Sequence, residues 1–421
     1  MELFETTLLK GKTQAISFSQ VKRAYDKVKS NGGAGGVDGV ELSDYEATKI
    51  NRLYRLWNRM ASGSYFPQAV RRVDIPKSDG SKRSLGIPTI DDRIAQQVVK
   101  DVLEPRMEAV FHTDSYGYRP HKSAHDAIGM CRRRCWAHPY VIDLDIKGFF
   151  DNIDHALMMR VVRHYVTEPW LLLYVERWLK APVKGVNGQT EGRDKGTPQG
   201  GVISPLLSNM YLHVVFDGWI SRELPAVKWE RYADDIIIHC ASQSAAHEVL
   251  ELVKRRLTQV GLTAHEEKTK IVYCKSVRRN DNYPIISFDF LGYCFRPRQC
   301  TDKHNKFFLG FTPSISAKAS KRIRVTIRDL RLHRLGHLEL PVIAQQLESK
   351  LRGWHYYYGK FTPSGLDYVF KSWLNDRLGS WVRSKYKSCR GSIKQGQNKL
   401  KEIYQDFPTL FYHWQHGYHP S

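Results

Sequence analysis

The sequence predicts a mixed α/β fold whose antiparallel strands carry paired acids, followed by a mainly helical, strongly basic C-terminal part. Three observations predict it. Short β-runs alternate with helical stretches as far as about residue 312. Two runs hold acidic pairs: Asp143 and Asp145 within Tyr140–Ile146, and Asp234 with Asp235 within Val227–Cys240. Beyond 312 the apolar spacing is helical, and residues 301–421 carry 21 Lys/Arg against 8 Asp/Glu.

The elements follow in order. Residues 15–30 have helical spacing, with Ile16, Val21, Tyr25 and Val28 apolar. A glycine-rich loop, 31–39, comes next. It lacks the Gly-Lys-Ser/Thr ending of a P-loop and no apolar strand precedes it. Residues 42–62 read as a second helix. Over 70–88 the period switches to two, giving a basic β-hairpin that turns at Pro76–Ser81. Helices are expected over 90–112 and 123–136, with the loop Ser115–Pro120 between them. The run Tyr140–Ile146 leads through Phe149-Phe150-Asp151 into a helix from Asp154 to Tyr165. Residues 196–201 form a turn that opens an apolar helix to about Trp219. Residues 244–260 form an amphipathic helix, and strands are expected near 270–274 and 286–296.

Composition narrows the function. The 421 residues carry a net charge of +22 and are 42 % hydrophobic, which excludes a disordered or acidic protein. Such a length has room for domains of about 100–200 residues each. Met1 is followed by Glu2 and Glu5, not by a basic start and an apolar run. No stretch approaches the roughly 20 apolar residues that span a bilayer. The seven cysteines are scattered and show no paired zinc spacing. The expectation is a soluble protein of a reducing compartment, without structural disulfides. The excess charge calls for an anionic partner. In the C-terminal part it is interleaved with Trp354, Tyr356, Tyr357, Tyr358, Trp373, Trp381, Tyr386 and Trp414. Basic groups with flat rings favour nucleic acid. A membrane surface fits less well, because the charges are spread over many elements.

The paired acids carry the chemistry. Asp143 and Asp145 are two apart, so on a strand both face one side. Asp234 and Asp235 fall at the turn of an apolar hairpin, a costly place for adjacent negative charges unless a cation neutralises them. Hard oxygen ligands with open positions suit Mg²⁺. Two such ions about 4 Å apart activate a hydroxyl and stabilise a leaving pyrophosphate. A lone Asp-Asp is a weak signal. An Asp-x-Asp run, then a Gly-rich turn, then an Asp-Asp hairpin is a far stronger one.

In this order the motifs resemble those of bacterial group II intron reverse transcriptases/maturases over nearly the whole chain. The motifs are Ile75-Pro-Lys77, Leu85–Arg93, Ser115–Pro120, Asp143–Asp151, Gly196–Gly201 with Ser204-Pro205-Leu206, Tyr232-Ala-Asp-Asp235, Glu267-Lys268-Thr269, Phe288–Tyr293 and Leu351–Trp354. The resemblance implies a right-hand polymerase with fingers and a mixed α/β palm, then an α-helical thumb and a small basic helical C-terminal domain. It places fingers and palm over 1–300, with an N-terminal extension over 1–65. The thumb/maturase domain then covers 301–368 and a basic DNA-binding region 369–421. It implies an RNA-directed DNA polymerase that binds its intron RNA, assists splicing and copies RNA into cDNA during retrohoming; the alternatives are a maturase acting chiefly as an RNA-binding splicing cofactor, or a host-adopted reverse transcriptase in repair or defence. It also implies an RNA template with a DNA primer, target DNA and dNTPs as partners, and work in the bacterial cytoplasm near the nucleoid.

Residue roles follow from the same resemblance. Asp145 and Asp234 match metal ligands, Ile146 offers a carbonyl, and Asp235 completes the acidic pair, with two Mg²⁺ ions as cofactors; Mn²⁺ also suits carboxylates. Asp143 reads alternatively as a ligand or as an acid held behind the site. Lys77 and Arg83 match the grip on the incoming triphosphate. Phe150 matches the ring under the sugar 2′ position, a role that passes to Phe149 if the register slips by one. Gln199 and Gly200 line the nascent base pair. Lys268 matches a lysine near the pyrophosphate, with a surface salt bridge as the other reading. Gly32 and Gly33 fall in the extension that contacts template, Arg119 in a fingers motif, and Gly292 in a primer grip. Arg352 and Trp354 belong to the thumb pattern. Many relatives continue into an endonuclease domain with paired cysteines. No Cys-x2-Cys occurs here, and the expectation is a form without that domain.

Overall fold

The structure, a computed structural model, describes residues 14–76, 82–302 and 304–420. Eleven strands are present among them: β1 Val70–Pro76, β2 Lys82–Ile87, β3 Tyr140–Leu144, β4 Val183–Lys184, β5 Thr190–Glu191, β6 Lys228–Tyr232, β7 Asp235–Cys240, β8 Lys270–Tyr273, β9 Phe288–Phe290, β10 Tyr293–Thr301 and β11 Phe307–Ile315. They form three sheets of order β2-β1-β4-β5, β6-β7-β3-β8 and β11-β10-β9. Pairing is antiparallel within β1/β2, β4/β5, β9/β10 and β10/β11, and parallel for β1/β4. The core is thus mixed α/β with antiparallel strands, and every long element after Ile315 is helical. No helix of the described residues is long and apolar enough to cross a membrane.

Packing divides the chain into two compact units. One holds the segment up to Ser123 with Leu144–Ile238 and His247–Lys270. The other holds Ala124–Asp143, His239–Ala246 and the chain from Ile271 onward.

In the first unit, helix Phe18–Asn31 starts from a capping box. The Gln20 N–H donates to Ser17 Oγ at 3.2 Å, and the Ser17 N–H donates to Gln20 Oε1 at 2.7 Å. Its buried face is Val21, Ala24, Tyr25 and Val28. The single helix expected over 42–62 is two, Leu42–Ala47 and Lys49–Ala61, because Thr48 at φ −125° leaves the helical region. Helix Ile90–Glu108 runs through the core and is buried almost all round its first turns. There Asp92 is buried. It accepts from the Tyr65 hydroxyl, from Thr89 Oγ1 at 2.9 Å and from the Gln68 N–H at 3.2 Å. Burial pushes its carboxyl up to about 6, against those hydrogen bonds.

In the second unit, Phe288, Phe295 and Phe311 stack at the centre of the β9–β11 sheet. Ring centroids lie 4.8 Å apart for Phe288–Phe295 and 6.1 Å for Phe288–Phe311. Strand β11 was not anticipated. Its last six residues are all buried, so it lacks the alternation that marks a half-exposed strand.

Candidate functional site

The acidic turn is built on a buried platform. Strands β6 and β7 are joined by Ala233 and Asp234, with Ala233 in the left-handed region at φ +57°. Asp234 is half-buried and Asp235 exposed. The residue before Tyr232 holds this turn. Arg231 and Asp217 both have 0 % side-chain exposure and pair twice, Nη2 to Oδ2 at 2.6 Å and Nε to Oδ1 at 2.8 Å. Arg231 also donates to Asn209 Oδ1 at 2.9 Å, Ser115 Oγ at 2.8 Å and the Ala233 carbonyl at 3.0 Å. Every hydrogen-bonding nitrogen of the guanidinium therefore has an acceptor, and one acceptor is the backbone of the acidic turn.

The loop Ser115–Pro120 completes the platform. Ser115 bridges Arg231, the Tyr116 N–H donates to the Arg231 carbonyl at 2.8 Å, and Asn209 Nδ2 donates to the Gly117 carbonyl at 2.7 Å. A Cβ on Gly117 would lie 2.3 Å from the Ala233 nitrogen, so only glycine allows this approach. Sequence reasoning missed Arg231, Asp217 and Asn209. Arg231 and Asp217 are 14 apart and Arg231 and Ser115 are 116 apart, beyond any local pattern.

Asp145 lies one residue beyond β3 rather than on it. Its backbone is pinned: its carbonyl accepts from the His265 N–H at 2.7 Å and its N–H donates to Thr269 Oγ1 at 3.3 Å. Ile146 forms an antiparallel bridge with Ala264, flanked by His265 N–H to Asp145 carbonyl and Lys147 N–H to Thr263 carbonyl. That pattern makes Ile146 the non-hydrogen-bonded member, so its own carbonyl turns away from residue 264. Lys268 Nζ lies 3.6 Å from Asp145 Oδ2, with both side chains more than a third exposed. In sheet order β7, which begins at Asp235, neighbours β3, which ends one residue before Asp145. Half-buried carboxylates and a turned-out carbonyl are a hard-oxygen donor set, which fits Mg²⁺ and Mn²⁺.

Phe150 follows in a one-turn helix, Phe149–Asn152, and is 7 % exposed, with its ring edge-on to Phe149 at 5.3 Å. The Gly196–Gly201 turn is hydrogen-bonded to this segment. The Gly196 N–H donates to the Ile153 carbonyl at 2.7 Å and the Thr197 N–H to the Phe150 carbonyl at 2.8 Å. Gly200, at φ +126°, lies against strand β2, where a Cβ would meet the Gly86 carbonyl at 2.6 Å. The Gly86 N–H donates to the Gln199 carbonyl at 2.8 Å. The β1/β2 hairpin, Gln199, Gly200 and Phe150 thus share one neighbourhood, tied by the Gly86–Gln199 and Thr197–Phe150 hydrogen bonds. Beside it lies a cavity of about 420 Å³ lined by Arg72, Gly86, Asp151, Arg193, Thr197 and Gln199. Arg193 Nη1 is buried there with no acceptor, and burial pulls its guanidinium below the ordinary value while Asp151 opposes the shift.

The other expected residues fall as follows. Lys77 lies outside the described residues, and Arg83 is described by its backbone alone, paired with Ile75. Arg119 turns inward. It is 6 % exposed, and its guanidinium is held by Glu108 at 2.9 Å and by the His112 and Ser115 carbonyls. It supports the 115–120 loop rather than offering its charge outward. Gly32 and Gly33 sit over Arg93, which donates to the Gly32 carbonyl at 3.4 Å and to the Ala34 carbonyl. In the second unit, Gly292 at φ +81° packs under the Tyr358 hydroxyl, and the Leu291 carbonyl accepts from Tyr357 at 2.8 Å. Arg352 is exposed, paired with Glu348 at 2.6 Å, and Trp354 is half-buried on the same helix, Leu340–Tyr358.

Comparison with known proteins gives the family. Residues 75–312, more than half of the chain, match the family model "Reverse transcriptase (RNA-dependent DNA polymerase)". Residues 320–400 match "Group II intron, maturase-specific domain". The chain is 35 % identical over 278 residues to Protein YkfC of Escherichia coli, covering 56 % of this chain and 71 % of that protein. It is 36 % identical over 267 residues to the Group II intron-encoded protein LtrA of Lactococcus lactis, covering 63 % of this chain and 43 % of LtrA. A Putative COX1/OXI3 intron 1 protein of Saccharomyces cerevisiae is 25 % identical over 299 residues, covering 59 % of this chain and 36 % of that protein. The chain therefore spans less than half the length of LtrA. With a polymerase-family match over the acidic turn and its platform, and a maturase-specific match over the basic helices, the chain belongs to the group II intron-type reverse transcriptase/maturase family.

Proposed function

We propose that this protein is an RNA-directed DNA polymerase of a group II intron, which binds its intron RNA, assists its splicing and copies RNA into cDNA during retrohoming. The observation that carries this reading is the acidic turn on its buried platform. An exposed Asp235 and a half-buried Asp234 are held by Arg231 beside the strand that leads to Asp145. A protein selected only to bind RNA has no use for so firmly positioned a pair of acids. In this reading the chain is a right hand. Residues 1–300 form fingers and palm, 301–368 the thumb, and 369–421 a DNA-binding region.

Asp145, Asp234 and the Ile146 carbonyl would hold two Mg²⁺ ions, whose chemistry there would be to lower the pKa of the primer 3′ hydroxyl and to neutralise charge on the leaving pyrophosphate. The remaining work falls to the chain itself. Lys77 and Arg83 hold the triphosphate, Arg through its fork and Lys as a point charge. Phe150 closes the space under the sugar and excludes a 2′ hydroxyl. Gln199 and Gly200 set the plane of the nascent pair, with the Gly86–Gln199 hydrogen bond fixing their distance from the hairpin. Lys268 neutralises Asp145 between turnovers and moves to the pyrophosphate when substrate enters.

The test is primer extension on an RNA template with dNTPs and Mg²⁺, comparing the wild type with Asp234→Asn. Full-length cDNA from the wild type and none from the variant supports the reading. No product from either, with salt-sensitive RNA binding intact, would replace it with a splicing cofactor that acts by RNA binding alone, and the metal assignments would fall with it.

A further inference from the structure

The maturase-specific segment carries two arginines packed on two rings, with no charge partner for either arginine among the described residues. Residues Tyr368–Leu374 form a π-helix, whose wide turn brings residues five apart onto one face. That places Tyr368 and Trp373 side by side. The Arg324 guanidinium, from helix Ala317–Asp329, lies 5.2 Å from the Tyr368 ring centroid and 5.6 Å from that of Trp373. Arg377, one helical turn after Trp373, lies 4.4 Å from the same indole. Arg324 thus lies near both rings, and Arg377 near the indole.

Two guanidiniums on one indole repel each other, yet no carboxylate pairs with either among the described residues. The nearest acid in sequence, Asp376, accepts instead from Gln397 at 3.1 Å. Three N–H groups of the stack are buried without an acceptor in the protein: Arg324 Nε, Trp373 Nε1 and Arg377 Nε. The stack itself closes these three donors off from solvent, so the terminal Nη groups of the two arginines are what is left for an anion from outside. A guanidinium lying on a ring keeps its planar N–H edge fixed, and that edge suits two oxygens of a phosphate. Cation–π contact with Trp373 also removes the rotamer freedom that binding would otherwise take away.

We propose that Arg324, Trp373 and Arg377 form a preorganised clamp for the phosphodiester groups of a single-stranded RNA segment. The clamp rests on the reading of RNA as this protein's partner, and not on its polymerase activity. Single-stranded RNA is favoured over duplex DNA by Tyr368. It is 55 % exposed and offers a face to an unstacked base, which a duplex keeps hidden.

The experiment measures binding of a short unstructured RNA, and of a duplex DNA of equal length, across a salt series. Its variants are Arg324→Gln with Arg377→Gln, Arg324→Lys with Arg377→Lys, and Trp373→Phe. Lys399→Gln, on an exposed lysine paired with Glu402, sets the baseline for losing one surface charge. Losing two phosphate contacts should lower the slope of log K against log salt by about 1.4 for single-stranded RNA, and affinity by about tenfold at ordinary salt. The lysine pair should keep the slope and lose affinity, because charge survives without the planar fork. Trp373→Phe keeps a ring but shrinks the platform under the two guanidiniums, with an expected loss of about threefold. A purely structural role would lower the melting temperature and leave the slope unchanged. That result, or a slope change no larger than that of Lys399→Gln, overturns the clamp. A larger loss for duplex DNA than for RNA overturns the assignment to RNA. A wild type that makes no cDNA, while the slope still falls in Arg324→Gln with Arg377→Gln, removes the polymerase reading and supports the clamp.

Discussion

Arg231 and the Arg324–Arg377 pair use the same side chain in opposite ways. Arg231 is completely buried, and each of its hydrogen-bonding nitrogens meets an acceptor inside the protein, with Asp217 neutralising the charge. Arg324 and Arg377 rest on Trp373 and meet no acid. The first is scaffold, already satisfied, and has nothing to offer a ligand. The second is complete only when an anion arrives. A net charge of +22 therefore does not describe an evenly sticky surface. Arg119, held by Glu108 and two carbonyls, belongs with the first class although its motif suggested the second.

The comparison breaks most easily at Arg231. Replacing it with methionine strands Asp217 as a buried, unpaired charge, which should destabilise the first unit by about 3–5 kcal/mol in urea unfolding. Adding Asp217→Leu should recover a large part of that loss. Equal instability of the single and double variants would show that the pair is not coupled.

Asp92 sharpens the comparison from the acidic side, because hydroxyls and an N–H hold it with no cation. Its carboxyl titrates near 6 in the folded protein against an ordinary 3.8. The folded state thus holds this proton more tightly than the unfolded chain does. The stability it contributes is fully present below about pH 4 and is lost as pH rises through 6, by up to about 3 kcal/mol. Asp92→Asn should flatten the stability profile across that window, and an unchanged profile would remove Asp92 as its source.

Gly117→Ala tests the platform without altering charge. The new Cβ would press on the Ala233 nitrogen and displace the acidic turn, so cDNA synthesis should fall by about 10²-fold. A variant with full activity would mean that the turn tolerates movement. The smallest effect belongs to Arg352→Gln. Its exposed pair with Glu348 should contribute no more than about 0.5 kcal/mol, and the melting temperature should hold.

Much of the fold was legible because it is written locally. Period-two spacing gave the β1/β2 hairpin, and the aliphatic run after Asp235 gave β7. The acidic pairs and the Gly196–Gly201 turn were legible because few other contexts tolerate them. What escaped depends on the rest of the chain. Strand β11 is buried on both faces near its end and shows no alternation. Asp145 slips one residue past β3 because residues 263–269 take over its backbone. The inward turn of Arg119 depends on Glu108, and the role of Arg231 on partners as far as 116 residues away. The stack around Trp373 was visible only as interleaved aromatics and charges, since nothing local announces a π-helix.

The platform under the acidic turn has a consequence for how the protein is made. The residues that hold the turn through Arg231 and Ala233 from elsewhere in the chain, Asp114, Ser115, Gly117, Asn209 and Asp217, all precede it in the sequence. A ribosome releases them first, at about 5–20 residues per second. The seat is therefore available before the acids emerge, and the turn can dock as it leaves the exit tunnel. Once Asp217 has left the tunnel and Arg231 has not, the acid is without its cation, so the emergence of the stretch between them is the interval in which this unit most needs protection from misfolding.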